Sequence, residues 1–314
     1  MATERTGKLL WDQVGQRIYE TGDRNVALYV YESTASTPTG ATAATHYPQG
    51  VAWNGITAIT ESPSGAEATD LWADDTKYAT LRSAEQLGGT IEAYTYPDEW
   101  MQCIGFASPI KGISLSQQKR RSFGLAFITT VGNDAELNDF GEKLHLIYNA
   151  SASTAERSYA TINDSPEAIT FSWEFTTTPI DVGTVNDVEY KQLSEITLDT
   201  SKFVNSDGTV DTELLDKYNA FKQLVFGNDG AGGVGAITPH LPEPAAVLQY
   251  FSSSSHYRYV PVGGLTTEPD DWDTEFMDYY KKTGTGEYTR IGDQPGGAPT
   301  FESGVYYRRE YVTE

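Results

Sequence analysis

Residues 159–179 read YATINDSPEAITFSWEFTTTP, and the second half of this stretch is a strongly patterned β-strand. Ile169, Phe171, Trp173 and Phe175 fall on one face, and the polar residues between them fall on the other. This alternation, rich in aromatic and β-branched residues, is typical of a half-buried antiparallel strand. The Asn-Asp-Ser-Pro segment before it predicts a turn. The stretch therefore predicts a mainly β chain, built as an antiparallel β-sandwich or barrel.

The same residues carry a resemblance, and a second block supports it. Residues 50–100 read GVAWNGITAITESPSGAEATDLWADDTKYATLRSAEQLGGTIEAYTYPDEW. Both blocks resemble the major tail proteins of long-tailed bacteriophages (siphophages), mostly those of Gram-positive hosts. The resemblance spans roughly residues 1–250 in one collinear order. It implies a tail-tube β-sandwich or barrel with one flanking α-helix.

The resemblance also implies a function. Such subunits form hexameric rings that stack into a hollow tube for DNA ejection, so the first expected partner is the chain itself. Further expected partners are the tape measure, tail terminator and distal tail proteins, with transient DNA passage and no specific DNA binding. The protein would be made in the host cytoplasm and become part of the virion tail, without membrane insertion. Neither an enzymatic activity nor a cofactor is expected.

Composition narrows the function classes independently. The 314 residues carry 44 acidic and 22 basic side chains, for a formal charge of −22. This balance argues against nucleic-acid binding through phosphate contacts, which needs clustered Lys and Arg. The single cysteine, Cys103, excludes an intramolecular disulfide framework. No apolar run approaches the roughly 18 residues of a membrane span, and the N-terminal sequence is unlike a signal peptide.

One helix is strongly predicted. Apolar residues of 212–226 form a helical stripe, Asp211 suits the N-cap, and Gly227 suits the position after the last turn. A single amphipathic helix late in a β chain would cover an open sheet face. A short helical turn is predicted from Pro97 towards Ile104. Strands are predicted in the segments 26–31, 51–60, 77–83, 89–95, 122–131, 143–148, 193–199 and 246–251.

Four segments are predicted along the chain. Residues 1–24 form an N-terminal arm and 25–251 the β domain. A Ser-rich linker covers 252–264, and 265–314 form a small Tyr-rich β appendage. Two short echoes, YYKK at 279–282 and YYRR at 306–309, suggest a two-part appendage. Because it lies beyond the resemblance, we expect it to project outside the tube.

Two sets of residues are candidates for function. The acids Glu92, Glu174, Glu195 and Asp199 occupy polar strand faces and are candidates for the inner wall of a tube, where they would repel DNA. The alternative is ordinary solvent exposure. The arm and the long 33–49 loop, which has no evident core residue, are candidates for contacts between subunits. The candidate contact residues are Leu10, Trp11, Val14, Thr37, Pro38, Thr42 and Tyr47.

Catalytic, cofactor and metal sites are not predicted. Residues 230–235 match G-x-G-x-x-G, but a helix precedes them and two prolines follow, which is the wrong context for a dinucleotide site. The four histidines are scattered, without the spacing of a zinc motif. Cys103 is predicted to be a small buried side chain. The aromatic residues of 265–314 leave one alternative function, a carbohydrate- or receptor-binding β-sandwich module.

Overall fold

The computed structural model describes most residues of the chain. The chain forms two units, Met1–Phe251 and Ser252–Glu314. The predicted mainly β class with antiparallel sheets is confirmed. No helix in the described part is long and apolar enough to span a bilayer. The residues outside the description are 1–10, 12–13, 66, 83–84, 156–158, 160, 162–167, 186–187, 205–208, 231–234, 253–255, 262–278, 285–286, 291–305 and 313–314. The Asn-Asp-Ser-Pro turn and most of the glycine motif fall among them.

The first unit is made mostly of strands. They are β1 (Tyr19–Val30), β2 (Gly50–Ala52), β3 (Ile56–Glu61), β4 (Ser64–Gly65), β5 (Ala68–Ala73), β6 (Thr76–Arg82), β7 (Glu85–Gln86), β8 (Gly88–Ala93), β9 (Ala107–Ile110), β10 (Ile113–Leu115), β11 (Phe123–Asn133), β12 (Leu137–Ala152), β13 (Phe171–Thr177), β14 (Gly183–Val185), β15 (Val188–Tyr190) and β16 (Glu195–Asp199). The helices are α1 (Trp100–Cys103), α2 (Thr212–Phe226) and α3 (Pro244–Ser252), with a 3-10 turn at Thr200–Lys202.

The main sheet has eight strands in the order β2-β1-β11-β12-β13-β8-β3, and β16 also pairs with β12. All of its pairings are antiparallel. The long strand β12 pairs with β11 on one edge and is shared on the other between β16 and β13. Strand β13 alternates as predicted, with Trp173 and Phe175 buried and Ser172 and Glu174 exposed.

The first buried cluster lies between β1, β11 and β12 on one side and β8 and β13 on the other. Its centre is aromatic. The rings of Trp53 and Trp100 are 4.6 Å apart between centroids, and those of Trp100 and Trp173 are 5.5 Å apart. Helix α1 contributes Trp100 and the fully buried Cys103, whose pKa burial raises to about 12. This inner face therefore forms the core of a β-sandwich, and Cys103 is the small buried residue that was predicted.

The second buried cluster covers the opposite face of β1, β11 and β12. Helix α2 places Tyr218, Phe221 and Val225 on this face, which confirms the predicted role of the helix. Glu142 of β12 also binds the helix, because its Oε1 accepts hydrogen bonds from the Tyr218 hydroxyl (2.9 Å) and the Lys222 ammonium (2.6 Å). Strand β11 thus has buried side chains on both faces.

Helix α2 begins and ends where predicted. The Asp211 carboxylate accepts a hydrogen bond from the Leu214 backbone N–H at 3.0 Å, which is an N-cap. After the last turn, Gly227 adopts a φ of 86°, a conformation that favours glycine.

Removing this cap gives a first prediction. Asp211→Ala leaves the Leu214 N–H without its capping oxygen and should lower the free energy of unfolding by about 1 kcal/mol. Asp211→Asn keeps a side-chain acceptor and is the matched control, expected to stay within about 0.5 kcal/mol of the parent. Urea unfolding of all three proteins measures the difference. Equal losses in both variants would show that the charge, not the cap, matters.

Residues 246–251 form helix α3, so their predicted strand is wrong. Pro244 stands at the first helical position, where its missing N–H costs nothing. Val247, Tyr250 and Phe251 are spaced as helix neighbours, and both rings contact Phe221 of α2. A mostly apolar stretch of six residues, AVLQYF, does not distinguish a strand from a buried helix by its pattern. Two helices, rather than one, therefore cover this face of β1, β11 and β12.

Two predicted boundaries also change. Strand β1 begins at Tyr19, not Val26, so the last residues of the predicted arm pair with β11. The strands predicted at 122–131 and 143–148 form the β11–β12 hairpin, whose loop is shorter than the gap between those predictions because the strands continue to Asn133 and resume at Leu137. The Asn133 side chain closes that turn by accepting from the Ala135 and Glu136 N–H groups.

The second unit contains a four-stranded sheet in the order β17 (His256–Pro261), β20 (Tyr306–Val312), β18 (Tyr279–Gly284) and β19 (Glu287–Arg290). The two sequence echoes lie on neighbouring antiparallel strands, with Tyr280 opposite Tyr307. Strand β17 falls inside the predicted linker 252–264, so that part of the linker is a strand of this unit. A truncation at Gly264 would separate β17 from its partner β20.

Candidate functional site

The hairpin β5–β6 is an exposed element of the first unit. Its turn is Asp74-Asp75, with φ values of 52° and 59°. Two consecutive positive φ values are typical of the type I′ turn, whose twist matches that of paired strands. Thr80 donates to the Asp70 carboxylate at 2.9 Å, and Lys77 forms an ion pair with it at 2.7 Å. The hairpin is therefore an ordered element, held by its own contacts.

Large apolar side chains of this hairpin are exposed. Trp72 is 68% exposed and Tyr78 is 77% exposed, with Leu71 and Leu81 at 41% and 57%. Leu71 pairs with Ala79 and Thr69 with Leu81, so the two leucines share one face of the hairpin. Trp72 directly follows Leu71, so its ring leaves the hairpin on the opposite face. Both faces of the hairpin therefore carry large exposed apolar side chains, a feature of binding surfaces. The strand predicted at 77–83 corresponds to β6, but β5 and the turn were not predicted, although Asp74-Asp75 is a recognisable turn signal.

The main sheet also has an open edge. Strands β2 and β3 end its main path. The Gly50 N–H of β2 donates to the Pro239 carbonyl at 2.7 Å, whereas β3 has β8 as its single pairing partner in the described structure. Unpaired strand edges are sites at which another chain can add a strand. Edge and hairpin together give this unit two kinds of surface for self-association.

The four predicted wall acids do not lie on one surface. Glu92 of β8 is paired with Ser172, and Glu174 of β13 is paired with Thr90, so the two exposed carboxylates are diagonal neighbours on the outer face. Two negative charges at this spacing form a small acidic patch. Their position on the wall of a tube stays a prediction.

The other two acids lie on the inner face. Asp199 caps the following 3-10 turn by accepting from the Ser201 N–H at 3.0 Å. Glu195 is half-buried and contacts Nδ1 of His145 at 3.0 Å and the Thr197 hydroxyl at 3.1 Å. Asp199 and Glu195 therefore already have specific partners inside the chain.

The structure describes two of the three candidate contact residues of the N-terminal arm. Trp11 and Val14 are 77% and 81% exposed, as a contact with another subunit requires. Leu10 lies outside the described residues. The arm is tied to the β11–β12 turn next to these residues, where the Gly15 N–H donates to Asp134 at 2.9 Å.

The candidate residues of the 33–49 loop differ in their exposure to solvent. Thr37 and Thr42 are exposed and Pro38 is half-buried, but Tyr47 is 1% exposed and belongs to the second buried cluster. Its hydroxyl accepts from the Asn149 N–H at 3.0 Å. The prediction of Tyr47 as a surface contact is therefore wrong, because this ring fills the core.

The same loop is fastened to the segment before α3. The buried Thr45 hydroxyl donates to the Leu241 carbonyl at 2.6 Å, and the His46 N–H donates to Glu243 at 2.8 Å. The loop therefore has core residues at its C-terminal end, contrary to the prediction, while residues before Thr45 remain on the surface.

A polar cluster occupies the inner face beyond the aromatic core. His145 of β12 lies between Glu195 of β16 and Glu20 of β1, with Glu61 of β3 nearby. Burial tends to raise the pKa of Glu20, but hydrogen bonds from Lys143 and Thr129 outweigh it and lower that pKa. Burial, followed by the charge of Glu195, raises the pKa of Glu61. The four strands thus bring together side chains that can hold a cation.

No protein-family model matches the chain, and no curated protein matches it. Among solved structures, it is similar to a chain of the "Cryo-EM structure of the anti-feeding prophage (AFP) baseplate, 6-fold symmetrised". That match has 10% sequence identity and a TM-score of 0.25, and covers 60% of this chain and 97% of that chain. A TM-score of 0.25 is too low to establish a shared fold. The resemblance to major tail proteins stays a prediction from the two sequence blocks.

Proposed function

We propose that the chain is a structural virion protein, the subunit of a siphophage tail tube built from stacked, six-membered rings. The observation that carries this proposal is the ordered β5–β6 hairpin, with Leu71, Trp72, Tyr78 and Leu81 exposed to solvent. This hairpin lies within the second of the two blocks that resemble major tail proteins. A second copy of the chain is the partner that would cover these exposed side chains.

Charge and architecture support assembly rather than catalysis as the role. A formal charge of −22 argues against retention of DNA through phosphate contacts, which suits a channel for genome passage. The open edge at β3 permits strand pairing between subunits. Heterologous contacts that close produce rings, and rings that stack produce a tube. The tape measure, terminator and distal tail proteins would contact the ends of that tube.

The alternative of a glycan- or receptor-binding module depends on the aromatic residues of 265–314. Their side chains lie outside the description. A groove of about 760 Å³ near α1 contains one aromatic residue, Phe106, among its described lining. The exposed β5–β6 hairpin, and not this groove, is therefore the feature on which the choice of self-assembly rests.

Substitutions in the β5–β6 hairpin test whether the chain assembles as proposed. The full chain should form rings or tubes at high concentration, seen by negative-stain microscopy and sedimentation velocity. Trp72→Ser combined with Tyr78→Ser removes two exposed rings and should abolish assembly with little change in stability, because exposed substitutions usually cost less than about 0.5 kcal/mol. Tyr94→Ser, which removes another exposed ring, is the matched control and should still assemble.

Two outcomes would contradict the proposal. One is a parent chain that stays monomeric at high concentration, and the other is normal tube formation by the double variant. A deletion that tests the arm should end before Gly15, because residues from Gly15 onward contact the β11–β12 turn.

A further inference from the structure

Three strands bring a histidine and two glutamates together on the inner face. Glu61 ends the edge strand β3, His145 lies in β12, and Glu195 begins β16. One potential ligand atom from each lies within 4.8 Å of the other two. Glu61 follows the inner-facing Ile59 by two residues, so its side chain leaves the strand on the same face.

The imidazole of His145 is held in one orientation. It stacks on Phe127 with centroids 4.6 Å apart and an interplanar angle of 5°. Its Nε2 lies 3.1 Å from the Thr129 hydroxyl oxygen, and that hydroxyl donates its own proton to Glu20 at 2.6 Å. An ionised carboxylate only accepts, so the Thr129 oxygen is left to accept from His145. Nε2 therefore carries the ring proton.

This assignment leaves Nδ1 with a lone pair in the neutral ring. Nδ1 lies 3.0 Å from a Glu195 carboxylate oxygen, which is also an electron-pair donor. Two such atoms at hydrogen-bond distance need a positive centre between or beside them. Lys143 supplies a positive charge in this region, but its ammonium is bonded to Glu20.

We propose that His145 Nδ1 and one carboxylate oxygen each of Glu61 and Glu195 bind a divalent transition-metal ion of the Zn²⁺ type. One nitrogen and two oxygen ligands suit this class of ion, and water would complete the coordination. Zinc bonds of about 2.0–2.2 Å require donor atoms roughly 3.4 Å apart. Nδ1 and Glu195 are near that spacing, and the exposed Glu61 side chain can rotate to reach it.

The surrounding contacts match those of a metal-bound histidine. In such sites the second ring nitrogen donates to an oxygen that fixes the tautomer, and loss of that partner weakens binding by about 10–100-fold. Thr129 holds that position, supported by Glu20 and Lys143. We assign Thr129 as a positioning residue of this site. The sequence alone predicted no metal site, because its three ligands are 50 or more residues apart.

The test is Zn²⁺ titration of the metal-free full chain by calorimetry at physiological salt. One ion per chain should bind saturably. Glu61→Gln should weaken Zn²⁺ binding at least about tenfold. Because Glu61 is an exposed residue at a strand end, this variant should still fold. Thr129→Val should weaken Zn²⁺ binding by a similar factor. His145→Gln should abolish the site. Glu92→Gln removes an exposed carboxylate from the outer face and is the matched control with unchanged affinity.

Spectroscopy separates a built site from general attraction to an acidic surface. Co²⁺ in place of Zn²⁺ should give the visible absorption of a four- or five-coordinate ion, and Glu61→Gln should remove it. Binding that is equal in the parent, Glu61→Gln and His145→Gln would overturn the proposal. So would nitrogen NMR showing both His145 ring nitrogens protonated in the presence of Zn²⁺, since the positive centre would then be a proton.

Discussion

Replacing Trp173 with alanine should lower the free energy of unfolding by about 3–5 kcal/mol, the largest stability effect that we expect from a single side chain. Trp173 is 1% exposed and contacts the rings of Trp53, Trp100, Tyr96 and Phe171. Its loss removes apolar burial and several aromatic contacts at once, and β13 and β8 cannot collapse fully into the space.

The matched control is Trp72→Ala, which removes the same side chain from the exposed hairpin. Because Trp72 is 68% exposed, this change should stay within about 0.5 kcal/mol of the parent. Guanidinium unfolding followed by circular dichroism, at concentrations below any assembly, compares the three proteins. Similar losses at both positions would show that the hairpin packs against something in solution, and a loss below about 1 kcal/mol at Trp173 would contradict the described core.

Gly89→Ala should destabilise the chain by about 1–3 kcal/mol or more, because the site has no room for a methyl group. Gly89 of β8 lies between Glu61 of β3 and Phe175 of β13. A Cβ placed there would lie 2.3 Å from the Thr60 carbonyl oxygen and 2.7 Å from the Phe175 ring. A backbone carbonyl cannot rotate away as a side chain can, so the β3–β8 pairing must shift.

Gly235→Ala is the control for this substitution, since no atom lies within 4 Å of its added Cβ and its φ is not positive. This substitution should leave the free energy of unfolding unchanged or raise it slightly, because alanine gives the unfolded chain less conformational freedom than glycine does. Thermal unfolding of both variants provides the measurement. Equal melting temperatures for the two would mean that β3 and β8 are not packed as described.

The elements predicted best are those whose pattern depends only on nearby residues. Strand β13 and helix α2 each bury one face, so alternation at Trp173 and the stripe through Phe221 identify them directly. Helix α3 was missed because a short apolar run has no distinguishing period. Tyr47 was misplaced for a different reason, since its partners Asn149 and Tyr148 come from a strand about a hundred residues later in the chain.

The candidate site was less predictable than the fold. His145 looked like an ordinary polar-face residue because Glu61 and Glu195 meet it only through pairing of distant strands. The exposed apolar side chains of the β5–β6 hairpin were also not predicted, because a strand pattern does not reveal whether another element covers them. Local pattern predicts which residues face the same way, and only tertiary pairing decides what they face.

The register between β1 and β11 also has a consequence during synthesis. Tyr29 pairs with Gly124, so β1 leaves the ribosome about a hundred residues before its partner, or roughly 5–20 s earlier at usual elongation rates. During that interval its apolar segment Val26–Val30 has only the short strand β2 to pair with. Nascent chains on crowded polysomes would present this segment to one another, in a protein that also has surfaces suited to self-association. Expression at reduced temperature, or with a chaperone that binds extended apolar segments, would then raise the yield without any change in the folded molecule.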